Sequence, residues 1–214
     1  MELNIFTNCT NSAPSTDLIL RTYNSFVNTF GEIPVRVWCD PNPNKDKYPA
    51  YEANLKKYFK SVIKVSSLSD GYIKSIKRSN SEYIFMLEHD WTFNKNYISH
   101  SLLDIAELMR REKLYHLRFN KRSNIVAAWD KWIKEYNYKG FSYCTTNNMS
   151  NNPHIIECKK YREEILNYIR VQEGSSGIED ILLNTERYIG AIYGKQGYPA
   201  TISHIDGRNY AKKE

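Results

Sequence analysis

Short apolar runs alternate with amphipathic segments over the first part of the chain. The runs contain β-branched and aromatic residues, as buried strands do, while the intervening segments keep apolar residues at helical spacing. The predicted strands are 3–8, 34–39, 62–65 and 83–87, and the predicted helices between them are 16–30, 50–60 and 70–78. Strands that alternate with helices in this way predict a mostly parallel, Rossmann-like sheet.

The pattern is less regular further along the chain. We predict a helix over 96–111, a strand over 114–119, a strand near 141–144 and an Asn-rich loop at 147–152. Two further helices are predicted at roughly 159–172 and 178–188. Because no linker or repeat interrupts the chain, we expect a single α/β domain over residues 1–214. Its two halves are about 1–90, with the parallel sheet, and about 91–214, which is irregular.

The segment Tyr83-Ile84-Phe85-Met86-Leu87-Glu88-His89-Asp90 is a buried strand that ends in acidic residues. Ligands of open α/β sheets bind beyond the carboxyl ends of the strands. Side chains alternate along a strand, so Glu88 and Asp90 are expected on one side, where both could face a cation. Carboxylate oxygens favour Mg²⁺ or Mn²⁺, which usually bind together with substrate phosphates. A solvated acidic loop is the alternative that this segment alone leaves open.

Composition limits the classes of partner and the cellular setting. The 214 residues carry a net charge of +6 and a pI near 9.0, which favours polyanionic partners such as nucleotide phosphates, nucleic acid or a membrane surface. No apolar run is long enough to cross a bilayer, and no leader precedes the first strand. We therefore expect no transmembrane segment and a cytoplasmic location. The four cysteines match no zinc spacing and are expected to be reduced thiols.

Neither of the common phosphate-binding glycine motifs is present. The chain lacks G-x-G-x-x-G and G-x-x-x-x-G-K-[ST], which argues against ordinary dinucleotide enzymes and phosphate-loop NTPases. A nucleoside diphosphate held by a divalent cation at strand-end carboxylates remains compatible with the sequence.

Several features, taken together, resemble the GT-A glycosyltransferases over nearly the whole chain. They are the first strand, Asp40 after the second, the Asp70-Gly71 helix with its basic residues, the strand ending in Glu88-His89-Asp90, and the late Gly177-Ile178-Glu179-Asp180. Within that family the chain is similar to the compact glycosyltransferase domain of a large chlorella virus, associated with capsid glycans. The resemblance implies a single GT-A-type domain with a nucleotide-binding first half and an acceptor-binding second half.

The resemblance also implies particular donor-binding residues. Asp40 matches the acid that meets the base or ribose, Thr7 lies where the family contacts the nucleoside, and Lys74 or Arg78 would lie near the diphosphate. The implied donor is a nucleotide sugar, most simply a UDP-hexose or UDP-deoxyhexose.

Three residues are implied as ligands of a Mn²⁺ or Mg²⁺ ion. Glu88-His89-Asp90 occupies the family's D-x-D position, with Asp90 as the direct ligand. This motif departs from the family by carrying Glu first, so Glu88 is implied both as a ligand and as a donor-binding residue. His204 is a candidate additional ligand, because some members supply a histidine from the C-terminal segment.

Glu179-Asp180 matches the late acidic pair from which inverting members draw the catalytic base, and the second acid, Asp180, is the favoured base. Inversion requires a carboxylate that takes the proton of the acceptor hydroxyl as the new bond forms. Acids are also common near helix starts, where they complement the helix dipole, so capping is the alternative role for this pair.

The acceptor is expected to be a glycan or glycoprotein. Its sugars would be bound by aromatic faces and neutral hydrogen-bonding side chains. The candidates for this role are Trp91, Trp129, Trp132, Asn152 and His154. With 17 tyrosines and 4 tryptophans in the chain, packing in the core is the competing role for each aromatic residue.

Two other functions remain open from the residues alone. A nucleotidyltransferase or pyrophosphorylase shares the metal and the α/β half, but it requires a glycine- and lysine-rich loop that residues 8–15 do not provide. A nucleic-acid-binding module would fit the positive charge, but it predicts basic and aromatic residues interleaved on one surface. Converging acids argue against it, so nucleic acid is not expected as a partner.

Overall fold

The computed structural model describes residues 1–128, 130–147, 149–169, 171 and 190–205. The strands in this part of the chain are β1 (Glu2–Cys9), β2 (Val35–Pro43), β3 (Val62–Lys64), β4 (Tyr83–Glu88), β5 (Trp91–Phe93), β6 (His116–Arg118), β7 (Ile133–Tyr138), β8 (Phe141–Thr146), β9 (His154–Glu157), β10 (Gly190–Tyr193) and β11 (Ile202–His204). The helices are α1 (Asp17–Phe30), α2 (Tyr48–Leu55), α3 (Leu68–Arg78), α4 (Leu102–Arg111) and α5 (Cys158–Lys160). A π-helical turn at Tyr161–Ile165 and a 3₁₀ turn at Leu166–Tyr168 continue α5.

Nine strands form one mixed sheet in the order β3-β2-β1-β4-β9-β6-β10-β8-β7. The first four are parallel, and only β8 and β9 oppose the common direction among the described strands. A separate two-stranded sheet pairs β5 with β11. The predicted α/β class with a mostly parallel sheet is confirmed. It brings the carboxyl ends of β1, β2, β4, β6 and β10 to one edge.

The two faces of the sheet are buried by different helices. Alternation along β1 sends Leu3 and Ile5 into the core that α1, α2 and α4 cover, and sends Phe6 to the opposite face, under α3 and the 158–168 segment. Helix α3 approaches the sheet closely at Gly71, where a Cβ would lie 3.2 Å from the Cβ of Trp38. This close approach sets the position of the N-terminus of α3 over the carboxyl edge.

The structure differs from the predicted elements in the second half of the chain. Helix α4 begins at Leu102 rather than residue 96, because Ser101 and Asp104 form a capping box at that point. Strands β7, β9 and β10 were not predicted, although they extend the sheet beyond β4. The second half is therefore irregular mainly in its loops, while its strands continue the main sheet.

Two expectations from composition can be compared with the described residues. All four cysteines are buried and form no disulfide, as expected. None of the helices in the described ranges combines the length and hydrophobicity needed to cross a bilayer.

Candidate active site

Three of the predicted acids lie near the carboxyl ends of β2 and β4, the parallel strands on either side of β1. Asp40 on β2 is level with Asn8 on β1, and Glu88 on β4 is level with Phe6 on β1. Asp90 follows β4 by two residues. The acids that are far apart in the sequence therefore converge on one edge of the sheet, as the family resemblance implied.

The chain turns at His89, so strand alternation does not extend to Asp90. Strand β4 ends at Glu88, and His89 is fixed by its backbone N–H, which donates to the carbonyl of Phe6 at 3.0 Å. The hydroxyl of Thr22 in α1 donates to the carbonyl of His89 at 2.6 Å. We expected alternation along a strand to put Glu88 and Asp90 on one side. That reasoning does not apply, because β4 ends at Glu88 and the chain turns at His89 before it reaches Asp90.

Asp90 instead faces His204, which comes from the far end of the chain. In the two-stranded sheet Trp91 pairs with His204, and the N–H of Ile205 donates to the carbonyl of Asp90 at 2.8 Å. The Nε2 of His204 lies 3.3 Å from the Oδ2 of Asp90, and both side chains are buried. The ring of Trp91 meets that of His204 edge-on, with centroids 4.4 Å apart. Two of the three predicted metal ligands are thus brought together by β5 and β11.

Asp90 and His204 are the residues here that could hold a divalent cation. No group of three or more potential ligands forms among the described residues, so Glu88 does not join Asp90 and His204 in such a set. Mg²⁺ is usually held by one or two protein carboxylates together with substrate phosphates, and imidazole is a ligand for many divalent ions. One carboxylate and one imidazole nitrogen on a preset backbone agree with that donor pattern.

Glu88 lies at a narrow neighbouring cleft between the N-terminus of α3 and the loop before β9. The cleft is lined by Phe6, Leu68, Tyr72, Met86, Leu87, Glu88, Asn151 and His154. Its walls are mainly apolar, with a carboxylate and a few polar groups. Of the two implied roles of Glu88, the geometry therefore favours contact with the donor.

A polar network joins the end of β2 to the start of α3. Asp40, which is buried, accepts hydrogen bonds from the backbone N–H and side chain of Asn42 at 2.9 and 2.8 Å. Asp70 accepts from both the backbone and hydroxyl of Ser66, and its Oδ2 lies 2.7 Å from the Nζ of Lys74. Burial would raise the pKa of Asp70, but the hydrogen bonds from Lys74 and Ser66 outweigh it and hold this pKa below its usual value. This network presents Asp40 and Lys74 near the same edge.

Two of the predicted donor-binding residues, Thr7 and Arg78, do not place their side chains at that edge. Thr7 is fully buried and its hydroxyl lies 2.7 Å from that of Tyr51, on the α2 side of the sheet. Arg78 lies in the last turn of α3, which starts at the carboxyl edge and runs away from it. An 11-residue helix rises about 16 Å, so Arg78 lies at the opposite end from Asp70. Their predicted contacts with the donor stay predictions.

The acceptor candidates that the structure describes are mostly buried. Trp91 belongs to the core, whereas Trp132 is 40% exposed. Asn152 accepts through its backbone carbonyl from the Nδ1 of His154 at 2.7 Å, and the Nε2 of His154 lies 2.8 Å from the hydroxyl of Tyr72. His154 therefore lines the cleft, the carbonyl of Asn152 holds its ring, and Trp132 is the exposed aromatic residue among the described candidates.

His154 stacks on a second buried histidine, His116, with ring centroids 4.6 Å apart. Burial lowers the pKa of His154 to about 4 and the pKa of His116 well below its ordinary value. Both rings are thus neutral in the fold but take up protons near pH 6.5 when the chain unfolds. Stability is then complete above pH 7 and is lost as pH falls from about 6.5 toward 4.

For His154 alone, this linkage predicts a loss of about 2 kcal/mol of unfolding free energy between pH 7.5 and pH 5. Urea unfolding at both pH values measures this loss directly. A His154→Gln variant should show a shallower decline, because one titrating ring is gone. An unfolding free energy that is the same at both pH values would contradict the neutral, buried pair.

Three predicted residues lie outside the described residues: Trp129, Glu179 and Asp180. The roles of Glu179 and Asp180 as the source of the base, and of Trp129 in acceptor binding, stay predictions.

The sequence interpretation missed a basic pair at the end of β6. Lys121 and Arg122 follow that strand by a few residues, and β6 ends at the same edge as β4. The ammonium of Lys121 lies 5.8 Å from the centroid of the Trp91 ring. The available signal was a pair of cations just after the predicted strand 114–119, at the edge where ligands bind.

The strand order, with acids at the ends of β2 and β4, defines a GT-A-like glycosyltransferase fold. The fold is similar to that of S. aureus TarS 1-349 in complex with UDP-GlcNAc, with a TM-score of 0.57 and 14% identity over 98% of this chain and 60% of that one. TarS 1-349 in complex with UDP gives 0.53 and 14%, covering 94% and 60%. A longer TarS structure gives 0.55 and 16%, covering 96% of this chain and 37% of that chain.

The chain therefore spans about 60% of the length of TarS 1-349. No family model matches the sequence, and no curated protein matches it either. At these identities the similarity establishes the fold, and the narrower likeness to a chlorella virus domain stays a prediction.

Proposed function

We propose that the protein is a metal-dependent glycosyltransferase that moves a sugar from a nucleoside diphosphate to a hydroxyl of a glycan or glycoprotein. We infer a UDP-linked hexose or deoxyhexose as the donor and inversion at the anomeric carbon as the outcome. The observation that carries the proposal is the 3.3 Å approach of the His204 Nε2 to the Asp90 Oδ2, at the strand edge where GT-A-like folds bind ligands.

The surroundings of this pair support a nucleotide donor. Asp40 and the network of Asp70 with Lys74 supply polar groups at the ends of β2 and β3, and the cleft beside Glu88 offers an apolar wall. Solved TarS structures with a similar fold hold UDP-GlcNAc and UDP, which supports a UDP-linked donor for this chain.

Asp90 and His204 would hold the Mn²⁺ or Mg²⁺ ion. When bound, that ion would supply positive charge to the departing diphosphate. The chain's own contribution is to fix both ligands before the donor arrives. The 2.8 Å hydrogen bond from Ile205 to Asp90 and the pairing of β5 with β11 set their spacing.

The remaining chemistry is proton removal from the acceptor. We assign it to Asp180, with Glu179 as the neighbouring acid. A carboxylate positioned at the acceptor hydroxyl takes the proton as the oxygen attacks the anomeric carbon from the face opposite the diphosphate. Asn152, in the loop before β9 and next to the cleft residue Asn151, is the proposed acceptor contact, whereas Trp132 lies at the amino end of β7.

Thermal unfolding with UDP and Mn²⁺, added separately and together, tests the proposal. We expect a clear rise in the unfolding temperature only when both are present, because each would complete the site of the other. A screen of nucleotide sugars for Mn²⁺-dependent hydrolysis then identifies the donor. Stabilisation by oligonucleotides with a steep salt dependence, and none by UDP with Mn²⁺, would contradict the proposal and favour nucleic-acid binding.

A further inference from the structure

A lysine from the loop after β6 approaches the Asp90–His204 pair through Trp91. The ammonium of Lys121 lies 5.8 Å from the centroid of the Trp91 ring, within the range of a cation–π contact. The same indole meets the imidazole of His204, with centroids 4.4 Å apart, and Trp91 directly follows Asp90. A cation, an indole, an imidazole and a carboxylate thus form one connected group beyond the end of β4.

The backbone that carries Lys121 is fixed to the strand that carries His204. The N–H of Asn120 donates to the hydroxyl of Thr201 at 3.0 Å, and the N–H of Thr201 donates to the carbonyl of Asn120 at 2.9 Å. Thr201 immediately precedes β11. The loop and β11 are therefore held together, so the root of the Lys121 side chain is preset relative to His204.

The far side of the same loop is fixed to the end of β10. The side-chain amide of Asn124 donates to the carbonyls of Tyr193 and Gly194 at 2.9 and 3.2 Å, and it also reaches that of Lys195 at 3.1 Å. One side chain that satisfies several carbonyls holds the short turn between Asn120 and Asn124 in place. The backbone position of Lys121 is therefore preset from both sides.

The indole of Trp91 adds a second indication of an oxygen-rich ligand. Its Nε1–H is buried and has no hydrogen-bond acceptor within the described part of the chain. A buried donor without an acceptor costs free energy, so such groups normally have partners, including those that a ligand supplies. A phosphate oxygen near Lys121 and His204 would be such an acceptor.

The proposed reaction needs a cation at this position. The diphosphate gains negative charge as the sugar departs, and preset positive groups stabilise that charge in the transition state. Both cations that the sequence interpretation placed near the diphosphate lie on α3, where Arg78 occupies the last turn. Lys121 comes instead from the β6 side, next to the proposed metal ligands.

We propose that Lys121 binds the β-phosphate of the donor and stabilises the departing diphosphate. This role rests on the proposed glycosyltransferase function and deepens it, because it names a diphosphate-binding residue that the sequence interpretation placed on α3. The ammonium would meet the phosphate directly, from its place beside the Trp91 ring.

Calorimetric titration with UDP and with UMP, in the presence of Mn²⁺, tests this role without measuring activity. Replacing Lys121 by Gln or by Met should weaken UDP binding roughly 10- to 100-fold, since a charge-assisted hydrogen bond is lost. The Met variant keeps an unbranched apolar side chain beside Trp91 and guards against a loss of folding. UMP binding should change less than about twofold in both variants, and Lys121→Arg should keep most of the UDP affinity.

Lys131→Gln is the matched control, because it removes the same charge from an exposed position later in the same connection. It should leave UDP affinity unchanged. If the native protein binds UDP with Mn²⁺ and both Lys121 variants bind it equally well, the role of Lys121 is overturned while the proposed function stands. Equal losses for UMP and UDP would also overturn it. A native protein that binds neither nucleotide overturns the proposed function itself.

Discussion

Replacing Asp180 by Asn should lower sugar transfer by roughly 100- to 10,000-fold, the range typical of a lost general base. Asparagine has nearly the same shape as aspartate but does not take the acceptor proton at neutral pH. Affinity for UDP with Mn²⁺ should stay within about twofold, because Asp180 acts on the acceptor rather than the donor. Initial rates of UDP release, with the donor that the nucleotide-sugar screen identifies, measure the first effect, and calorimetry measures the second.

Glu179→Gln is the matched control for this result, since it changes the adjacent carboxylate in the same way. It should reduce the rate far less than Asp180→Asn. If Asp180→Asn keeps a near-native rate and Glu179→Gln loses it, the base is Glu179. If both variants keep the native rate, the late acidic pair is not the source of the base and another group takes the proton.

Replacing Asp90 by Asn should weaken Mn²⁺-dependent binding of UDP by about 100-fold or more, beyond the loss usual for outer-shell partners of a metal. The amide carries no charge and is a poorer ligand for a hard cation. UDP binding in the presence of EDTA should be unchanged, because the carboxylate acts on the nucleotide through the metal. Calorimetric titrations of UDP in Mn²⁺ and in EDTA measure the metal-dependent and the metal-independent affinity separately.

The Glu88→Gln variant distinguishes the role of Glu88 from that of Asp90. Glu88 lines the cleft beside Phe6 and His154, whereas Asp90 faces His204. We therefore expect Glu88→Gln to weaken UDP binding with and without metal by similar factors, and to leave the Mn²⁺ dependence in place. The account of the metal pair is contradicted if Asp90→Asn keeps the native Mn²⁺ dependence and Glu88→Gln abolishes it.

The first half of the fold was predictable because its signals are local. The runs that become β1, β2 and β4 are rich in apolar residues, as strands covered on both faces usually are. Ser67 is a recognisable cap, so the start of α3 was within reach of the sequence pattern. The acids that follow the apolar run of β4 are visible in the sequence itself.

The second half depends on contacts that local patterns do not encode. Strands β5 and β11 have three residues each and gain their structure by pairing with each other across the chain. Strand β9 is inserted between β4 and β6 although it follows both in sequence. No periodicity in such short segments distinguishes them from loops.

The candidate site was likewise only partly predictable from the sequence. The meeting of Asp90 with His204 was anticipated only through family resemblance, because nothing in a lone C-terminal histidine indicates its partner. His154 was predicted to contact the acceptor, and in the structure its ring stacks on that of His116 in the interior. The sequence of β9 does not indicate this contact. Lys121 was missed because its proximity to Trp91 arises from a loop held by Asn120 and Asn124.

A crystal structure of the protein with UDP and Mn²⁺ tests the central claim most directly. It should show the ion within about 2.3 Å of an oxygen of Asp90 and of the Nε2 of His204, with diphosphate oxygens completing its coordination. The carboxylate of Asp180 should face the same cleft, on the acceptor side of the diphosphate. An ion bound elsewhere, or Asp180 on the opposite side of the molecule, would contradict the proposed mechanism.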